Sequence, residues 1–152
     1  MKTSQRITAG VAGLAATVGI ALGAAGVANA GTMPVTHPGE PTTTMTITNR
    51  SAQPEFLMGS STGGTGHWIN GPRGYLAPGA TETVTAVAPT GDYLTVNVVY
   101  RVGMVGPKAN YEVENMKGNV NTAMSGVSGG HHFLNAHVSS GYPNVNADFT
   151  QW

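Results

Sequence analysis

Tyr93-Leu94-Thr95-Val96-Asn97-Val98-Val99-Tyr100-Arg101-Val102 is the stretch that decides the fold class. Leu94, Val96, Val98, Tyr100 and Val102 occupy every second position, with Tyr93, Thr95, Asn97, Val99 and Arg101 between them. Successive side chains of a strand point to opposite faces, so this alternation describes a β-strand with one buried face. An uninterrupted apolar phase predicts a central strand, and Val99 makes its other face partly apolar. The same grammar extends outward in both directions. Upstream are Thr43–Asn49, with Met45 and Ile47 in phase; Glu55–Ser60; a short His67-Trp68-Ile69; and Thr81–Ala88, with Val84 and Ala86 in phase. Downstream are Asn110–Met116, with Tyr111 and Val113 inward and Glu112 and Glu114 outward; a weaker Val120–Met124; His132–Ser139; and Val145–Gln151. Gly, Pro and Asn clusters separate these runs, and no window carries a helical i, i+3, i+4, i+7 stripe. The expected fold is all-β, a single antiparallel β-sandwich of roughly seven to eight short strands over residues 42–152, ahead of a small barrel.

Composition narrows the function classes. The chain of 152 residues has 7 Lys+Arg, 7 Asp+Glu and no Cys, and only 9% of it is charged. The length fits one domain rather than a multidomain enzyme. Without cysteine there is no disulfide framework and no thiolate metal site. A nucleic-acid partner is not expected, because electrostatic binding needs clustered Lys and Arg. Few lysines are available to protect edge strands, which leaves self-association into a homo-oligomer open.

Residues 1–30 read as an export signal. Lys2 and Arg6 form a basic start, Ala9 to Val27 is uncharged, and Ala28-Asn29-Ala30 has the small-x-small pattern of a cleavage site. The run is barely long enough to span a bilayer, and Ala and Gly dominate it, so cleavage is favoured over anchoring. Its composition is similar to signal peptides of high-GC bacteria. Cleavage after Ala30 removes Lys2 and Arg6 and leaves two more acids than bases. Residues 31–41, with three prolines, read as a flexible lead. The expected location is secreted or associated with the cell envelope.

Motifs that could carry chemistry are sparse, and no cofactor is expected. Gly126-Val127-Ser128-Gly129-Gly130 matches G-x-S-x-G, but no helix follows it as a nucleophile elbow requires. His131 and His132 are the candidate metal ligands. As strand neighbours they face opposite ways, so either would need a distant partner, such as His37 or His67 brought close by the fold. Glu112 and Glu114 share a face, where two acids are ordinarily solvated. Aromatic residues in or beside loops are more informative. His67, Trp68, Tyr75 and Tyr142 are the candidate ligand-binding residues, since loop aromatics beside small polar residues suit adaptable recognition. Trp68 also fits the end of a core. Trp152 closes the chain, but Asn146, Asp148 and Thr150 spoil the alternation of an outer-membrane barrel strand.

Thr46-Ile47-Thr48-Asn49-Arg50-Ser51, then Trp68, then Leu76-Ala77-Pro78-Gly79-Ala80-Thr81 resemble the opening of aegerolysin- and actinoporin-type proteins, and more distantly thaumatin-like ones. The resemblance lies within residues 46–81. It implies a β-sandwich and points toward membranes. The cysteines of thaumatin-like proteins are absent, the aromatic-rich lipid-binding loop of actinoporins has no counterpart, and no functional residue is carried over. The leading expectation is an exported, non-enzymatic binding or structural protein with a cell-surface, glycan or protein ligand. A membrane-interacting module with a lipid partner comes second, and a small histidine-dependent hydrolase or metal enzyme third.

Overall fold

The computed structural model describes residues 39–152. The expected signal, most of the lead and His37 lie outside the described residues. Among the described residues eleven strands form: β1 Thr42–Asn49, β2 Glu55–Thr62, β3 His67–Asn70, β4 Tyr75–Leu76, β5 Thr81–Val87, β6 Tyr93–Val102, β7 Lys108–Met116, β8 Asn119–Asn121, β9 Gly126–Val127, β10 Leu134–Val138 and β11 Asn144–Gln151. Two of them, β4 and β9, were not expected as strands, because two residues each are too short to leave an alternating pattern, and β8 is shorter than the expected Val120–Met124. All three exist by pairing with longer neighbours.

Two sheets pack face to face. One has the order β10-β11-β1-β5-β3, and the other β4-β2-β6-β7-β8, with β9 also paired to β7. The central position expected for Tyr93–Val102 is observed: β6 lies between β2 and β7 and buries each of its in-phase apolar side chains. Pairing is antiparallel with one exception. β1 and β11 run parallel, Thr42 opposite Asn144 and Asn49 opposite Gln151, which corrects the purely antiparallel expectation. The first and last strands of the described residues thus enter one sheet side by side, and strand pattern alone cannot reveal that.

The core is an apolar layer with an aromatic spine. Tyr100, Tyr111 and Phe149 are fully buried and meet edge to face, with centroids 6.1 and 5.6 Å apart, joining the two sheets. Amides fasten the sandwich at both ends. Asn115 Nδ2 donates to the Thr42 and Pro143 carbonyls at 3.0 and 2.7 Å. At the opposite end Asn49 Nδ2 donates to the Gln53 and Leu76 carbonyls at 2.8 and 3.3 Å. These links define two ends. At the first, β1 and β11 begin. At the second, which we call the distal end, β1, β6 and β11 finish while β2 and β7 start.

Candidate functional site

The distal end gathers exposed apolar side chains. Between β6 and β7 the chain turns through Gly103-Met104-Val105-Gly106-Pro107, and Val105 is 95% exposed and Met104 71% exposed at its tip. The glycines hold this turn in place. Gly103 has φ +70°, and a Cβ on Gly106 would lie 1.9 Å from the Val102 carbonyl oxygen, so only glycine fits there. Gly103 N–H donates to the Pro54 carbonyl at 2.7 Å, and Val102 N–H to Pro107 at 2.9 Å. The apolar tip is therefore built on paired backbone.

At the same end β10 and β11 are prolonged by Phe133 and Trp152, whose backbone groups bond reciprocally at 2.7 and 3.1 Å. Phe133 is 62% and Trp152 46% exposed. The glycine-rich connection between β9 and β10 crosses this end, with Gly130 against Pro107.

The outer face of the second sheet carries a row running directly into the tip. Tyr75 is paired with Phe56, Phe56 with Arg101, and Arg101 with Lys108, across β4, β2, β6 and β7. Tyr75 and Phe56 meet edge to face at 5.5 Å, and the Arg101 guanidinium lies 5.9 Å from the centre of the Phe56 ring. Beside Lys108 lies a groove of about 520 Å³. Val99, Met124 and Val127 give it an apolar wall, and Lys108, Asn110 and Ser128 a polar one.

Beneath this end lie two buried carboxyl groups. Glu55 accepts the Tyr111 hydroxyl at 2.8 and 3.0 Å, and Glu82 accepts the Tyr100 hydroxyl and the Arg73 N–H. Burial is the main cause that pushes the Glu55 carboxyl up to about 7; the Tyr111 bond opposes it, and the Glu82 charge adds to it. Burial first, then the neighbouring carboxylates, raises both tyrosine hydroxyls above their ordinary value. These groups are sealed in the core and do not line the surface described above.

The residues singled out from sequence are dispersed. Tyr75 stands in the row on the second sheet, at the distal end. His67 opens β3 at the edge of the first sheet, opposite Val87 and therefore toward the first end. Trp68 packs partly buried against the core. Tyr142 lies at the first end, preceding a cis proline in the β10–β11 connection. His131 is exposed, and His132 Nδ1 lies 2.9 Å from Gln151 Nε2. Among the described residues no group of three or more His, Asp or Glu could hold a metal ion. Ser128 Oγ bonds the backbone of Lys108, and Glu112 and Glu114 accept amide hydrogens from Asn97 and Asn121, both at 2.8 Å. Sequence reasoning missed the tip, the Phe133–Trp152 pair and the Arg101–Lys108 pair. Two apolar residues between Gly103 and Gly106 were the available signal.

No protein-family pattern matches the chain, and no curated protein matches it in sequence. Among solved structures it is similar to one described as the lipid binding protein Nakanori, with a TM-score of 0.58 and 9% identity, covering 73% of this chain and 70% of that one. At that identity the likeness is one of fold.

Proposed function

We propose that this chain is an exported, non-enzymatic binding module that docks end-on upon a lipid bilayer. The observation that carries the reading is the exposed Met104-Val105 tip, held out by glycine-dictated backbone at the same end as Phe133 and Trp152. Apolar side chains displayed this way lose contact with water only if another phase receives them. Aromatic rings with a polar edge favour the bilayer interface, where Trp152 would sit. Basic residues flank the apolar tip, the combination that favours an interfacial position. The fold shared with a lipid binding protein supports the same reading. The expected residues His67 and Tyr142 lie away from this end and have no role in docking.

Vesicle co-sedimentation tests it. The protein is expected to pellet with phosphatidylcholine vesicles, and Val105→Asp to lower the bound fraction about tenfold or more, since a charge there resists leaving water. Met116→Asp, at the opposite end, should bind as the parent does. Failure of the parent to pellet, or undiminished binding by Val105→Asp, would refute end-on docking.

A further inference from the structure

Arg101 and Lys108 face each other across β6 and β7 on the outer surface of the second sheet. Directly opposed side chains have Cβ atoms about 5 Å apart, and like charges in that relation repel. A fold ordinarily relieves such a pair with a carboxylate. Here none does: neither side chain has an ion-pair partner among the described residues, and the next outward positions on the two strands are Val99 and Asn110. Arg101 Nε is buried without a hydrogen-bond partner, and Phe56 lies against the guanidinium. The acids of this end, Glu55 and Glu82, point into the core. Two cations are thus held together with their charge uncompensated, and one carries an unused buried donor.

The pair also has a particular setting. It closes the row that leads into the tip, and Lys108 lines the groove whose other wall is Val99, Met124 and Val127. A ligand that meets both the cation pair and the tip beyond it carries negative charge at one end and apolar surface on the side toward the tip.

We propose that Arg101 and Lys108 bind the phosphate of an anionic phospholipid headgroup, whose glycerol and acyl chains continue past the apolar tip into the bilayer. This rests on the end-on docking above and adds lipid selectivity to it. With the tip inserted, the row lies at headgroup depth. The guanidinium offers a planar pair of donors to phosphate oxygens, and the ammonium a point charge from the facing strand.

The test compares binding to vesicles of phosphatidylcholine alone and to vesicles with phosphatidylserine as a minor component, at neutral pH and low salt. The parent protein is expected to bind the anionic vesicles about tenfold more tightly, a gain that high salt removes. Arg101→Gln with Lys108→Gln should abolish the gain and retain binding to phosphatidylcholine. Lys117→Gln, at the first end, should keep the gain in full. Lys108→Gln alone, at an exposed position without a side-chain partner, should lose a large part of the gain and serves where the double variant fails to fold. Equal binding to both compositions would overturn the headgroup assignment and leave docking standing, as would an undiminished gain in the Gln variants. Binding to neither would overturn both. A gain reproduced on a soluble polyanion such as heparin, with none on vesicles, would also overturn it.

Discussion

Glu55 and Glu82 are fully buried carboxyl residues in a domain with few charges, and each meets a tyrosine hydroxyl. A carboxyl held in the core disfavours its ionised form, and burial leads the causes that move Glu55 from the ordinary 4.5 to about 7. The consequence for stability has a definite sign. Between those two values the folded chain holds a proton that the unfolded chain has released. Stability is therefore full below the ordinary value and falls as pH rises toward about 7, by at most about 3 kcal/mol from this group. Thermal melts across this range should show a higher Tm at the acidic end, and Glu55→Gln should flatten the slope and melt higher than the parent at neutral pH. A parent whose Tm rises with pH over this window would contradict the assignment. Tyr111→Phe removes the donor that eases ionisation of Glu55. It should cost about 1–3 kcal/mol and carry the decline in stability to higher pH.

At the level of elements, the β6–β7 connection shows how a strand pair builds a surface feature. The two strands pair from Tyr93 opposite Met116 to Arg101 opposite Lys108, and the backbone then closes over Gly103 and Gly106. Gly106→Ala would drive a methyl into the Val102 carbonyl. We expect a loss of about 2 kcal/mol or more, and weaker vesicle binding as the tip shifts. Gly74→Ala, where an added Cβ meets nothing within 4 Å, should leave both unchanged. Urea melts of the two variants separate these outcomes, and equal behaviour would mean that the turn relaxes freely. The same elements show how much was legible in the sequence. Strands such as β6 and β7 were plain, because one buried face imposes a period of two over many residues. β4 and β9 have two residues each and exist through their partners. The parallel β1–β11 pair follows from how the chain closes rather than from any local pattern. Glu82 was readable, since it shares the phase of Val84 and Ala86 on β5, but an acid in an apolar phase reads as an interruption until its tyrosine partner is known. The row from Tyr75 to Lys108 was hidden for another reason. It draws one residue from each of four strands, and only register brings them together.

For the molecule as a whole, the two ends differ in charge and polarity. Among the described residues the basic side chains are Arg50, Arg73, Arg101, Lys108 and Lys117, and all but Lys117 belong to the distal half. Of the acids outside the core, Asp92 precedes β6 at the first end and Glu114 lies near that end of β7, while Glu112 and the exposed Asp148 stand near the middle of β7 and β11. This asymmetry would orient the molecule toward an anionic surface before contact, with the apolar tip leading. The two tryptophans make the orientation measurable. Trp152 lies exposed at the distal end, whereas Trp68 packs against the core from β3 at a sheet edge. A chain carrying Trp68→Phe reports through Trp152 alone, and one carrying Trp152→Phe through Trp68 alone. On addition of vesicles, Trp152 emission should shift to the blue and become protected from an aqueous quencher, because its ring leaves water. Trp68 emission should hardly change, since its ring is already in contact with the core and the edge carrying it lies along the flank of the docked sandwich. The opposite result, a response from Trp68 with none from Trp152, would mean that the molecule lies on the β3 edge. It would return His67 to consideration as a contact residue, because His67 and Trp68 begin that strand.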